Sequence, residues 1–350
     1  MISLVGYTGF VGGNIYRAGE KEHVFDGLYR SVNIQEAYDT HPELLIYAGL
    51  RAEKYLANQS PQVDMERIRE AEANIRRIQP QKLVLISTID VFRSPVQVDE
   101  TSAVETKGLQ PYGGNRYQLE GWVRENYPDA LIIRLPGLFG QGIKKNFIYD
   151  YIHVVPSMLS ADKFHELSAR EAVLEAYYTL LSNGFYRLNA KDGEVPFLKE
   201  CFRRVGFSAL NFTDSRSQFQ FYDLSDLWRD IQWALEQDIR LWHPATEPLT
   251  AAELYRYLSG EEFCNHLPAA PSRYDYRTVY AKAYRSHLAR QCGQKAKAPD
   301  VVAAAEKGYM MSRREIAERI RIFVEESTDK HEAEHEAGHK AKHEAEHKVG

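Results

Sequence analysis

The stretch Ile2-Ser3-Leu4-Val5-Gly6-Tyr7-Thr8-Gly9-Phe10-Val11-Gly12-Gly13 decides the fold. Ile2 to Val5 reads as a short buried strand, and Gly6, Gly9 and Gly12 follow it in a G-x-x-G-x-x-G spacing. Gly6 lets the backbone leave the strand sharply, Gly9 lets it approach a pyrophosphate, and Gly12 lets the next helix lie close on the sheet. The free N–H groups of that helix N-terminus favour an anion. A glycine-rich loop without a ligand is the alternative. The position between a strand and a helix favours a phosphate cradle built from Gly6, Thr8, Gly9, Phe10, Val11 and Gly12.

Working outward, Asn14 to Glu20 is expected as a short helix and Val24 to Tyr29 as a second strand, ending at Arg30-Ser31. In a dinucleotide fold this strand end meets the adenine ribose. Asp26 falls inside the strand, whereas Arg30 is placed to pair with a 2′-phosphate, so NADP is favoured over NAD. Arg30 as a solvated strand-end charge is the competing reading. Leu44 to Tyr47 is a further apolar run, and the small Ala48-Gly49 after it lets the backbone pass under a cofactor.

Helical periodicity over Asp64 to Ile78 stops at Pro80, and Lys82 to Ile86 is a buried strand leading into Ser87-Thr88. Tyr112 to Asn126 reads as a helix and Ala130 to Arg134 as a strand closed by Leu135-Pro136-Gly137. This alternation predicts an α/β, Rossmann-type doubly wound parallel sheet, with a smaller, mixed substrate-binding domain. The expected division is 1–150 for dinucleotide binding, completed by about 213–245. Residues 151–212 and 246–326 form the substrate-binding region with its insertions, and 327–350 a low-complexity tail. Further elements are expected as a helix near Ser168 to Leu181, a return strand over Gln218 to Tyr222 and a helix over Leu224 to Leu235. A helix capped by Thr250 runs to Leu258, and an amphipathic one covers Ser312 to Glu325.

Three stretches carry chemistry. Ile86-Ser87-Thr88-Ile89-Asp90-Val91-Phe92 places hydroxyls at a strand's carboxyl edge. Tyr112-Gly113-Gly114-Asn115-Arg116 puts a phenol and a guanidinium one helical turn apart. Arg134 to Gly140 closes a strand with a bend. With the opening glycines, these stretches resemble the extended short-chain dehydrogenase/reductases of the NAD-dependent epimerase/dehydratase group. The wording is closest to deoxysugar-nucleotide reductases.

The resemblance implies roles residue by residue. Thr88 holds the substrate oxygen beside Tyr112, and Tyr112 is the acid/base that exchanges a proton with the carbinol as hydride moves to or from the nicotinamide. A phenol titrates near pH 10 in isolation and must be brought down to work near neutrality. The family uses a lysine four residues after the tyrosine, which also binds the nicotinamide ribose. Here Arg116 stands in its place, as the expected catalytic and ribose-binding cation. Ser87, Ala48, Gly49, Arg30, Ser31, Pro136 and Gly137 complete the expected cofactor contacts. Ile89 stands where dehydratases of the family carry the first acid of an Asp-Glu pair, which argues for reductase or epimerase chemistry.

The implied function is an NAD(P)-dependent oxidoreductase or epimerase acting on a nucleotide-linked sugar. The alternative is an impaired NAD(P)-binding protein that serves as a redox sensor or scaffold. A formal charge of −5 over 350 residues argues against general nucleic-acid binding. No apolar run nears the length of a membrane span and no signal peptide is evident, so a soluble cytoplasmic protein is expected, with a homodimer as the candidate assembly. Cys201, Cys264 and Cys292 are scattered and read as reduced packing residues. Phe147 to His153 is an aromatic run that reads as core, with a pocket wall or an oligomer contact as alternatives. The tail repeats His331, His335, His339, His343 and His347, which favours a solvated or added segment over a metal site. No metal is expected.

Overall fold

The computed structural model describes residues 1–291 and 298–328. Cys292 and the histidine tail lie outside them. The described chain divides into two compact units. One comprises 1–143, 218–249 and 273–316; the other takes up 144–217, 250–272 and 317–328, described residues only.

The first unit is built on a six-stranded sheet in which every neighbouring pair is parallel. Its strands are β1 (Ile2–Val5), β2 (Gly27–Tyr29), β3 (Leu44–Tyr47), β4 (Lys82–Thr88) and β5 (Leu131–Leu135). A short strand β6 (Gly137–Phe139) then pairs with β7 (Phe221–Asp223) in a separate parallel ribbon, and β8 (Leu241–Trp242) closes the main sheet beside β5. The spatial order is β8-β5-β4-β3-β1-β2. The chain thus winds to one side from β1 to β2 and to the other side from β3 onward.

Alternate strand residues feed two cores, one on each face. Leu4, Ile46, Val84 and Ile133 pack with Ile15, Trp228 and Ile231. Val5, Leu45, Leu85 and Ile132 pack with Ile68, Ile75, Leu119 and Val123 on the other face. Burial on both faces is why these strands read as continuous apolar runs. The covering helices are α1 (Phe10–Glu20), α2 (Lys54–Gln59), α3 (Pro61–Ile78), α4 (Pro111–Asn126) and α5 (Leu227–Glu236).

Several boundaries differ from the sequence reading. Helix α1 begins at Phe10 rather than Asn14, because Gly9 already serves as its extended N-cap. Strand β2 begins only at Gly27: the carboxylate of Asp26, just before it, accepts the N–H of Ile2 at 2.7 Å. The return strand breaks at Gln220, whose side chain donates to the carbonyls of Thr246 and Tyr276 and accepts the Tyr276 N–H. Leu224–Asp226 forms a 3-10 turn ahead of α5.

The second unit has a three-stranded antiparallel sheet, with Phe185–Leu188 between Met158–Ser160 and Tyr178–Leu180. The helix expected near Ser168 to Leu181 lies earlier, over Ala161–Arg170, where the Ser160 hydroxyl caps it. Tyr178–Leu180 is instead one arm of a hairpin that turns at Asn183-Gly184, with Gly184 in the left-handed region. Leu159, Phe164, Leu167, Leu198, Cys201 and Phe202 form this unit's core. Thr250 caps Ala251–Ser259 through a reciprocal bond pair with Glu253, as the sequence predicts. Among the described residues no helix is long and apolar enough to cross a membrane.

Candidate active site

The expected site segments gather at the carboxyl edge of the main sheet. Strand β1 is the point where the winding direction reverses, and in open α/β sheets the crevice beside that point receives the ligand. The opening glycines and Ala48-Gly49 meet there. Gly6 has φ +90°, its N–H donates to the Tyr29 carbonyl at 2.7 Å, and a Cβ on it would lie 2.5 Å from the Ala48 carbonyl oxygen. A Cβ on Gly12 would lie 2.2 Å from the Gly6 carbonyl oxygen. Both contacts need glycine, and they bring the N-terminus of α1 against the strand end.

The first intrahelical bond after the turn runs from the Gly13 N–H to the Gly9 carbonyl at 2.7 Å, so the amides of Phe10, Val11 and Gly12 lie ahead of it. No acidic residue stands in that first turn, and Thr8 and Gly9 are exposed. These features fit a phosphate. Arg30 and Ser31 follow β2 directly and are exposed beside the same turn. Asn14, which the sequence reading left without a role, is buried in α1. Its amide donates to the carbonyls of Phe10 and of Gln141, at 2.7 and 3.0 Å, and ties the loop after β6 to the glycine helix.

Two strands away, Thr88 ends β4 in register with Leu135, so Pro136-Gly137 continues beside it. The Thr88 hydroxyl oxygen accepts the Asp90 N–H at 3.2 Å. Tyr112 lies in the first turn of α4 and is 7% exposed. Burial raises its phenol above the ordinary value. The charge of Arg116 opposes that rise, the carboxylate of Asp90 adds to it, and Thr88 and Lys54 oppose it more weakly.

Arg116 turns inward. Its guanidinium stacks over the Tyr112 ring, 3.7 Å from the centroid. Nη1 donates to Asp64 Oδ2 at 2.8 Å and to the Tyr112 carbonyl at 3.0 Å. Nη2 donates to the Arg51 carbonyl at 2.8 Å and to Asp64 Oδ1 at 3.2 Å. The Ser87 hydroxyl is likewise committed to the protein: it donates to Glu120 Oε1 at 2.6 Å, in a buried cluster where Glu120 also receives Arg134.

Lys54, Asn58, Asp64, Asp90 and Tyr274 surround the pair, and none was expected in the site. Tyr274 belongs to the Tyr274-Asp275-Tyr276-Arg277-Thr278 stretch near the chain's end. Its signal in the sequence was that this stretch shares the resemblance to the short-chain dehydrogenase/reductases. Among the described residues no cluster of His, Cys, Asp and Glu is arranged to hold a metal ion.

No protein-family model and no curated protein matches this sequence. Solved structures do match. A dTDP-4-dehydrorhamnose reductase from Yersinia enterocolitica is 12% identical with a TM-score of 0.54, over 92% of this chain and 98% of its own. A UDP-N-acetylglucosamine 4-epimerase from Methanobrevibacter ruminantium is 11% identical with a TM-score of 0.55, over 93% and 96%. RMD from Pseudomonas aeruginosa, solved with NADPH, is 14% identical with a TM-score of 0.54, over 94% and 98%. The chain has the fold of the extended short-chain dehydrogenase/reductases. The glycine turn, the Thr88 strand end and the Tyr112 helix lie on one sheet edge.

Proposed function

We propose that the protein is an NAD(P)-dependent reductase or epimerase of nucleotide-linked sugars. One observation carries this reading: the Thr88 strand end and the Tyr112 helix start share a sheet edge with the glycine cradle at the switch point. Neighbours of the same fold support the substrate class, because they include a dTDP-sugar reductase and a UDP-sugar epimerase, and one was solved with NADPH.

The residues present fit a dinucleotide. Gly6, Thr8, Gly9, Phe10, Val11 and Gly12 would hold its pyrophosphate, Arg30 and Ser31 its adenosine end, and Ala48, Gly49, Pro136 and Gly137 would border the rest. The cofactor supplies a hydride donor or acceptor. Thr88 orients the substrate oxygen, and Tyr112 gives it a proton or takes one. Arg116 holds the Tyr112 ring from behind and offsets part of the burial that keeps the phenol protonated. The second unit is the proposed substrate-selecting part of the chain.

The test is direct. The full chain is titrated with NADPH and NADH by nicotinamide fluorescence, then supplied with a panel of nucleotide-linked sugars and ketosugars while nicotinamide absorbance and product sugars are followed. Tyr112→Phe should bind the dinucleotide normally and lose turnover by about 10²–10⁴-fold. Turnover equal to that of the parent would remove the phenol from the mechanism. A second reading, dinucleotide binding without turnover as a sensor or scaffold, is favoured by the inward commitment of Arg116. Hydride transfer with any sugar would end it.

A further inference from the structure

Helix α2 brings two side chains to the first turn of α4 from one of its faces. Lys54 and Asn58 are four residues apart and therefore lie on the same side. Asn58 Oδ1 accepts the Tyr112 N–H at 2.9 Å. Lys54 Nζ donates to Asp90 Oδ1 at 2.9 Å and lies 3.4 Å from the Tyr274 hydroxyl. Tyr274 in turn donates to the same Asp90 oxygen at 3.0 Å.

Asp90 is itself fastened to the catalytic pair. Its N–H donates to Thr88 Oγ1, and its carbonyl oxygen presses so closely on α4 that a Cβ on Gly113 would lie 1.9 Å away. The ammonium of Lys54, the carboxylate of Asp90 and the phenol of Tyr274 are thus held beside Thr88 and Tyr112 by backbone as well as by side-chain bonds.

The two cations near Tyr112 differ in what they can still reach. The Arg116 side chain is 5% exposed, and its Nη groups are spent on Asp64 and two backbone carbonyls. The Lys54 side chain is 45% exposed, and an ammonium has three donors, of which Asp90 and Tyr274 take two among the described residues. Burial works against its charge, but Asp90 and Tyr274 outweigh that and hold its pKa above the ordinary lysine value. The positive charge is therefore present throughout the neutral range.

Resting on the function proposed above, we propose that Lys54, and not Arg116, is the cation that meets the sugar hydroxyls of a bound ligand beside Tyr112, with Asp90 and Tyr274 aiming it. Those hydroxyls belong either to the nicotinamide ribose or to the substrate sugar.

Lys54→Met keeps the aliphatic stem and removes the charge. With the full chain, the affinity for NADPH alone, the KM for a turned-over nucleotide sugar and the thermal midpoint are measured for Lys54→Met and for Lys54→Arg. Contact with the ribose predicts NADPH binding weakened by about tenfold; contact with the substrate predicts unchanged NADPH binding and KM raised by about tenfold. In both cases Lys54→Arg recovers most of the loss and the thermal midpoint holds. NADPH affinity and KM both within twofold of the parent would overturn the assignment. If Lys54→Met does not fold, Lys54→Gln in the same assays decides. A parent chain that binds neither NADPH nor NADH would instead overturn the proposed function, an outcome seen before any variant is made.

Discussion

Arg116 and Asp64 form a two-pronged ion pair inside the protein, at 2.8 and 3.2 Å, with each side chain 5% exposed. Asp64 opens the buried face of α3 and also accepts from the Asn115 amide at 2.9 Å, so one carboxylate joins α3 to α4 beneath Tyr112. Removing one partner leaves the other buried without its counter-charge, which typically costs about 3–5 kcal/mol. Arg116→Met and Asp64→Leu should each lose about that much stability in urea denaturation, and the double variant should regain most of it. Single variants within about 1 kcal/mol of the parent would mean that the pair is not held as described.

Gly12→Ala should separate binding from general stability. Its Cβ would fall 2.2 Å from the Gly6 carbonyl oxygen, so α1 must move away from the strand end. The expected result is a loss of about 1–3 kcal/mol from overpacking, together with NADPH binding weakened by tenfold or more. Gly114→Ala in α4 is the control, because a Cβ there meets nothing within 4 Å. It should stabilise the protein by up to about 1 kcal/mol and leave binding alone.

Arg30 tests the cofactor preference. It is exposed directly after β2, where a 2′-phosphate would distinguish NADPH from NADH. Arg30→Asp should weaken NADPH binding by about ten- to a hundredfold and spare or improve NADH binding. Equal losses for both dinucleotides would remove Arg30 from the specificity contact.

His243 sets a pH dependence of stability. It is wholly buried, with Nδ1 facing the Arg277 carbonyl at 3.2 Å and Nε2 facing Arg134 Nη1 at 3.3 Å. This arrangement suits a neutral ring that donates through Nδ1 and accepts through Nε2. Burial first, and then the charge of Arg134, push its pKa down to about 3. The unfolded chain takes up the proton near pH 6.5 and the folded one does not, so this contribution is complete above pH 6.5 and is lost as pH falls toward 3. Over that window it amounts to a few kcal/mol, as an order of magnitude. Denaturation curves at a series of pH values should fall more steeply for the parent than for His243→Gln. Parallel curves would contradict a neutral buried ring.

Much of the sheet was legible because its signals are local. Leu44–Tyr47 and Lys82–Thr88 are buried on both faces and read as apolar runs, and the glycine turn is dictated by contacts within a few residues. The cap of Thr250 on Ala251–Ser259 is equally local. The second unit was less legible. Its hairpin signal, Asn183-Gly184, lies between short strands whose burial is only partial, and a helical period was read across the first of them. The break at Gln220 depends on backbone groups of Thr246 and Tyr276 that only the folded chain delivers.

By itself, the sequence determined the doubly wound sheet and the glycine turn after β1, since periodicity and glycine geometry act over short spans, and its resemblance to a known family singled out Thr88 and Tyr112. Tertiary structure alone decided where the cations point. Arg116 is drawn inward by an acid 52 residues earlier, and Lys54 is held near Tyr112 by an aspartate 36 residues later and a tyrosine 220 residues later. A charge takes the partner that folding brings within reach at low dielectric, and no local pattern records that partner.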